Sequence, residues 1–236
     1  MRYFLIVVSL LLVISCSQKT EYNGNGKGFA YYPSGKLIPT KSGKGRFGDN
    51  YIYAPGIRFP IESAPAYINS QVYGVGGYLG PKGSLCDQKN YTYPWHDNYC
   101  ESRRYPMPLC SGGHGHQGVD IRTATCEKKK YYAVAVENGV ITSIGKYTIK
   151  LRGKSGRTYR YLHLDPRTLK VRRGQKLRRG QRIGLVSNNM GSTPTSIHLH
   201  FDMKQTIKIG KRSKSVYVPP YSSLVDAYKR LLQGNP

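Results

Sequence analysis

Apolar and polar positions alternate along Ser196-Ile197-His198-Leu199-His200-Phe201-Asp202-Met203, the period-two pattern of a strand with one packed face. Ile197, Leu199 and Phe201 point one way, and His198, His200 and Asp202 the other. The same period recurs upstream. Residues 132–136, 139–144, 147–152 and 157–164 each read as a short strand, with an Asn138-Gly139 turn signal and a glycine turn over 153–156. Residues 174–184 read as a tight turn followed by a strand, and 67–73 as a strand ended by Gly74-Val75-Gly76-Gly77. Many short strands with glycine turns predict a mainly β fold with an antiparallel sheet core. Helical spacing enters only over 223–232, capped by Ser222 or Ser223, and predicts one C-terminal helix within 221–236 that packs back on the sheet.

The first apolar run has a different meaning. Arg2 precedes an apolar stretch over 3–14 that is too short to span a bilayer comfortably and ends in Val13-Ile14-Ser15-Cys16. It resembles a bacterial lipoprotein signal, which implies a signal peptide over 1–15, removal before Cys16 and lipid attachment to the Cys16 sulfur. Ser17 follows, where an Asp would have resembled an inner-membrane retention signal. The expected location is therefore the cell envelope, at the periplasmic face of the outer membrane. Residues 16–50 have the Gly, Lys, Asn and Ser content of a flexible tether, with a span of roughly 30 Å. Residues 51–109 hold aromatics and prolines with little periodicity. They are expected to be a loop-rich, disulfide-pinned segment packing on a core at 110–220.

Charge and cysteines narrow the class. Lys and Arg number 37 against 12 Asp and Glu, a net +25, which implies an anionic partner. Outside the cytoplasm nucleic acid is not expected, and no nucleic-acid reader motif occurs. Peptidoglycan, with its carboxylates, is the expected polymer, and the membrane is expected to be reached through the lipid anchor. Beyond Cys16, the four cysteines Cys86, Cys100, Cys110 and Cys126 suggest two disulfides in an oxidising compartment. Three pairings are possible. Pairing between neighbours would close two loops of about 15 residues, each worth roughly 3 kcal/mol.

One His-x-His on a strand is a common surface feature; its company changes the picture. Gly112-Gly113-His114-Gly115-His116-Gln117-Gly118-Val119-Asp120 contains a His116-x-x-x-Asp120 pair. Glycines at 115 and 118 argue against a helix, and on a straight strand the two would lie about 13 Å apart. To share an ion the chain must bend near Gly118. His114 also makes a His-x-His, but only His116 has the carboxylate partner. His96 reads as a surface histidine and is set aside.

Taken together, His116-x-x-x-Asp120, Tyr161-Leu162-His163-Leu164, the glycine-punctuated stretch over 171–184 and His198-Leu199-His200-Phe201 resemble the lysostaphin/LytM-type zinc endopeptidases over about residues 110–205. The resemblance implies a β-sheet groove, one Zn2+ per chain, and hydrolysis of peptide bonds in peptidoglycan stems or cross-links. It implies His116, Asp120 and His200 as metal ligands and His163 and His198 as catalytic histidines. A histidine near a metal-held water can take its proton, and a second can hydrogen-bond the developing oxyanion. The family often has Glu where Asp202 stands; Asp202 is expected to orient an imidazole through its other nitrogen. The loop over 186–196 lacks the family's Gly-Pro-His ending. The competing reading is a non-catalytic lipoprotein that binds peptidoglycan or activates another hydrolase. Such relatives usually lose ligands, and none of the five residues is lost here.

Overall fold

The computed structural model describes residues 19–22 and 28–236; the expected signal peptide over 1–15 and Cys16 lie outside the described residues. Strands β1 (Lys19–Tyr22) and β2 (Gly28–Tyr31) pair with each other. There follow β3 (Tyr67–Ile68), β4 (Val119–Arg122), β5 (Tyr132–Val134), β6 (Gly139–Ile144), β7 (Thr148–Gly153) and β8 (Thr158–Leu162). The chain ends with β9 (Lys176–Leu177), β10 (Arg182–Leu185), β11 (Leu199–Ile209), β12 (Arg212–Val218) and helix α1 (Tyr221–Leu232). Eight of the strands form one antiparallel sheet in the order β3-β4-β11-β8-β7-β6-β9, with β12 also on β11, while β5 and β10 make a separate pair.

Alternation decides which way this sheet faces. Ile149 and Leu151 on β7, Tyr159 and Tyr161 on β8, and Leu199, Phe201 and Met203 on β11 are all buried in one core. Residues of opposite parity form the outward face, in rows set by cross-strand register: His200 beside Leu162 and Thr148, then Asp202 beside Arg160 and Lys150. An antiparallel sheet covered on one face only is free to carry a cleft on the other.

The covering layer is the irregular segment that precedes the sheet. Trp95 is wholly buried, with ring contacts to Phe29 at 4.7 Å, Phe59 at 5.7 Å and Tyr228 at 4.5 Å. Helix α1 docks on this aromatic layer, with Tyr228 against Phe29 of β2 at 4.8 Å. The Tyr221 hydroxyl donates to the carbonyls of Tyr32 and Trp95, and the Tyr228 hydroxyl accepts from Ala66 N–H. The helix begins at Tyr221 behind Pro220, with no side-chain cap. The expected cap serines lie two and three positions past that N-cap, inside the helix, and Ser223 serves the neighbouring segment: its Oγ accepts from Ala54 N–H at 3.0 Å.

One expectation is corrected, and one open choice is resolved. The segment 28–50 is no tether. Phe29 and Leu37 are buried, Gly35 N–H donates to Asp97 Oδ2 at 2.8 Å, and Ser102 N–H donates to the Ser42 carbonyl at 2.7 Å. Its glycines serve close packing instead of flexibility: a Cβ on Gly45 would lie 2.1 Å from the Gly35 carbonyl oxygen. Of the three possible cysteine pairings, the one formed joins Cys86 to Cys126 and Cys100 to Cys110, one bridge nested inside the other. Burial sorts them, because the buried run over 97–100 carries Cys100 inward to buried Cys110, leaving Cys86 at the surface with half-buried Cys126. The first bridge pins the loop after β3 to the chain leaving β4. Wholly buried Arg122 on β4 adds hydrogen bonds to the Leu85 carbonyl and Asn69 Oδ1.

Shorter adjustments follow from context. Only 67–68 of the expected 67–73 strand forms, and the stretch over 174–184 becomes two short strands. The β11–β12 hairpin runs well beyond the alternating stretch read from the sequence.

A candidate metal centre in a histidine-lined groove

Three elements bring the candidate ligands together. Asp120 on β4 lies directly across from His200 on β11. His116 reaches the same point because the chain bends at 117–118, and its backbone is held by Glu101 and Cys100. Gly118 permits the approach: a Cβ there would meet the Phe201 carbonyl oxygen at 2.2 Å. The expected bend is thus present, and glycine serves it through proximity to β11.

His116 Nε2, Asp120 Oδ1 and His200 Nδ1 converge. The two nitrogens are 2.9 Å apart, and Asp120 Oδ1 lies 3.4 Å from His116 Nε2 and 3.0 Å from His200 Nδ1. All three residues are buried. The back of each ring is occupied: His116 Nδ1 faces the Asn98 carbonyl at 2.9 Å, and His200 Nε2 faces Asp202 Oδ2 at 3.1 Å. A carbonyl or carboxylate at one ring nitrogen places the proton there and leaves a lone pair on the other. Two lone pairs and a carboxylate oxygen then point at one spot, an arrangement that is repulsive without a cation. The donor set therefore fits a divalent metal with N and O ligands, and bonds near 2.0–2.2 Å would bring these atoms to about 3–4 Å from each other.

Without a metal, a proton supplies the missing positive charge. Burial disfavours a charged His200, but its hydrogen bonds to Asp120 and Asp202 outweigh this and raise its pKa to about 9. Burial likewise opposes the Asp120 charge; the facing imidazoles of His116 and His198 hold the carboxyl well below its ordinary value.

His163 and His198 share the cavity, their ring centres 4.5 Å apart. His163 Nδ1 faces the Asn189 carbonyl at 2.8 Å, and His198 Nδ1 faces the Ser196 carbonyl at 2.9 Å. Both rings thus turn Nε2 into the cavity, where His198 Nε2 is 3.4 Å from Asp120 Oδ1. Burial, helped by the adjacent His198, pushes the His163 pKa down to about 3, so its ring is neutral. His163 also has a positive φ of 69°, a backbone state that costs a non-glycine residue about 1 kcal/mol or more. The cavity measures about 310 Å³, and its lining also includes Gln71, Val72, Arg103, Tyr105, Tyr147 and Met190.

Several supporting residues were not legible beforehand. Wholly buried Asp202 accepts from Arg160 through both carboxylate oxygens, with Nη2 at 2.6 Å from Oδ2, and Arg160 also donates to Gln117 Oε1. Arg160 shares the parity of Leu162 on its strand, the one signal that placed it on this face. Ser196 Oγ bridges His198 Nδ1 and Gln71 Oε1, tying the loop after β3 to a cavity histidine. The Tyr147 ring lies parallel to His163 at 6.0 Å. His114 is exposed and stands outside the cluster, and the set-aside His96 is half-buried away from it.

The chain is similar to known proteins over part of its length. Residues 114–217 match the model of Peptidase family M23. The lysostaphin catalytic domain from Staphylococcus simulans is 25% identical over 50% of this chain and 89% of its own, with a TM-score of 0.35. A Ruminococcus gnavus protein described as a candidate LytM glycyl-glycine endopeptidase is 24% identical over 48% of this chain, with a TM-score of 0.38. The chain spans 47% of that protein's length. A chain of the SpoIIQ–SpoIIIAH pore-forming complex is 19% identical over 50% of this chain and 72% of its own, with a TM-score of 0.37. No curated protein matches the chain significantly.

Proposed function

We propose that the protein is a zinc-dependent endopeptidase that cleaves peptide bonds in peptidoglycan stems or cross-links, a reading supported by the match of residues 114–217 to the model of Peptidase family M23. The observation that carries this reading is the convergence of His116 Nε2, Asp120 Oδ1 and His200 Nδ1, each ring backed by an acceptor, in a cavity shared with two further histidines. His116, Asp120 and His200 would hold one Zn2+, which when bound supplies a Lewis acid that polarises the scissile carbonyl and acidifies water.

The chain's own residues do the rest. Asp202, fixed by Arg160, keeps the His200 proton on Nε2 and its lone pair on Nδ1. His163 and His198 present Nε2 as proton acceptors because their Nδ1 positions face carbonyls. One of them takes the proton of the attacking water and returns it from Nε2 to the leaving amine. The second histidine hydrogen-bonds the developing oxyanion when its Nε2 carries a proton. Gln71, Val72, Arg103, Tyr105, Met190 and Thr195 line the same cavity and are placed to touch the substrate chain.

We also place the protein in the cell envelope, held by a lipid on Cys16 at the periplasmic face of the outer membrane. The two disulfides support an oxidising compartment. The test is fragment release from purified sacculi by the zinc-loaded protein with and without a chelator. Soluble muropeptides are expected only when zinc is retained. Intact sacculi in both cases would leave a binding protein in place of an enzyme.

A further inference from the structure

The outward face of the sheet continues past the metal centre as a run of cations. Register aligns Asp202, Arg160 and Lys150 in one row and Lys204, Thr158 and Arg152 in the next. Lys208 follows two steps further along β11, across from Ser213. Lys150, Arg152 and Lys208 are exposed, and Lys204 is half-buried. Tyr217 lies under both the Arg160 guanidinium and the Lys204 ammonium, at 4.7 Å and 5.3 Å from its ring centre. Among the described residues of β7, β8, β11 and β12 on this face, Asp202 is the sole carboxylate, and it is wholly buried and held by Arg160. Lys150 stands directly across from Arg160, and like charges so placed destabilise a sheet. Arg160 itself lines the metal-site cavity, so the cationic run begins at the rim of the site.

We propose that this face, through Lys150, Arg152, Lys204 and Lys208, binds the free carboxylates of the peptidoglycan strand whose peptide lies in the groove. The proposal rests on the peptidase reading for its substrate and adds how that substrate is selected. The run extends from about 7 Å to about 27 Å beyond His200, counted along β11. An extended peptide advances about 3.3–3.6 Å per residue, so the face reads carboxylates roughly two to eight residues from the cleaved bond. Strands whose carboxylates are amidated are then poor substrates, although their scissile bonds are unchanged.

The test compares full-length zinc-loaded protein with the K150Q/R152Q/K204Q/K208Q variant. Retention on sacculi stripped of phosphate polymers is measured by brief co-sedimentation in the cold. The sacculi are used native, and after conversion of their carboxylates to carboxamides. Wild-type retention is expected to fall at least ten-fold on amidation, and at least ten-fold between 50 and 300 mM salt on native sacculi. The variant, with an unchanged zinc content and unfolding temperature, is expected to bind native sacculi as weakly as wild type binds amidated ones. Equal retention of variant and wild type on native sacculi overturns the proposal, as does wild-type retention that survives amidation. Fragment release is measured separately on warming. Its absence alongside carboxylate-dependent retention would sink the peptidase reading and leave this one standing.

Discussion

Asp120 Oδ1 lies within 3.4 Å of nitrogens on His116, His198 and His200, so one carboxylate oxygen faces three imidazoles and protonation governs their balance. The His200 pKa of about 9 stands above its ordinary 6.5. Its contribution to the stability of zinc-free protein is therefore fully present below pH 6.5 and is lost as pH rises through 9, by up to about 3 kcal/mol. Zinc requires the neutral ring, so uptake at pH 7 should release about one proton from His200, read as a buffer-dependent enthalpy in calorimetry. Asp202→Asn should weaken zinc binding about 10–100-fold in a chelator competition. His163→Asn and His163→Ala should both abolish turnover and keep zinc. The Asn variant should unfold at higher denaturant, by about 1 kcal/mol, because Asn tolerates the positive φ that His163 is held in. Parity marked His198 and His200, and spacing paired His116 with Asp120. His163 and the roles of all five residues came only from the resemblance to the lysostaphin/LytM-type endopeptidases, because His163 stands just past the end of β8. The carbonyls of Asn98, Ser196 and Asn189 could not be read, since a backbone acceptor carries no residue-type signal.

Strands with one packed face wrote themselves into the chain as period-two alternation, which is why β6, β7, β8 and the start of β11 were expected close to where they stand. β12 left no such mark, because its outer half, Arg212 to Ser215, is entirely exposed and polar. The loop after β3 was equally opaque: its order comes from Asn90, Arg122 and the Cys86–Cys126 bridge, which sequence distance hides. Through Gln71 that loop also braces Ser196 and His198. The C86S/C126S variant should lose about 2–4 kcal/mol of stability and turn over more slowly with its zinc content intact, as measured by unfolding, metal analysis and fragment release. At the β4–β11 crossing, Gly118→Ala should cost more than about 3 kcal/mol by overpacking against backbone and reduce bound zinc together with folded protein.

Across the whole molecule, the covering layer is the part least visible in the sequence. Glycine and lysine content made 28–50 look like spacer, yet Phe29 and Leu37 are buried within it. A chain beginning at residue 28 should unfold cooperatively. One beginning at residue 51 should lose more than about 5 kcal/mol, given the usual cost of removing large buried side chains, and circular dichroism on heating separates the two. The same layer has a consequence for orientation. Phe29 and α1 share a core with the inward side of the sheet, whereas His200 and Asp202 lie on its outward side. Any support that grips the protein ahead of Gly28 therefore takes hold from behind, and the histidine-lined groove is left turned toward whatever lies opposite that support.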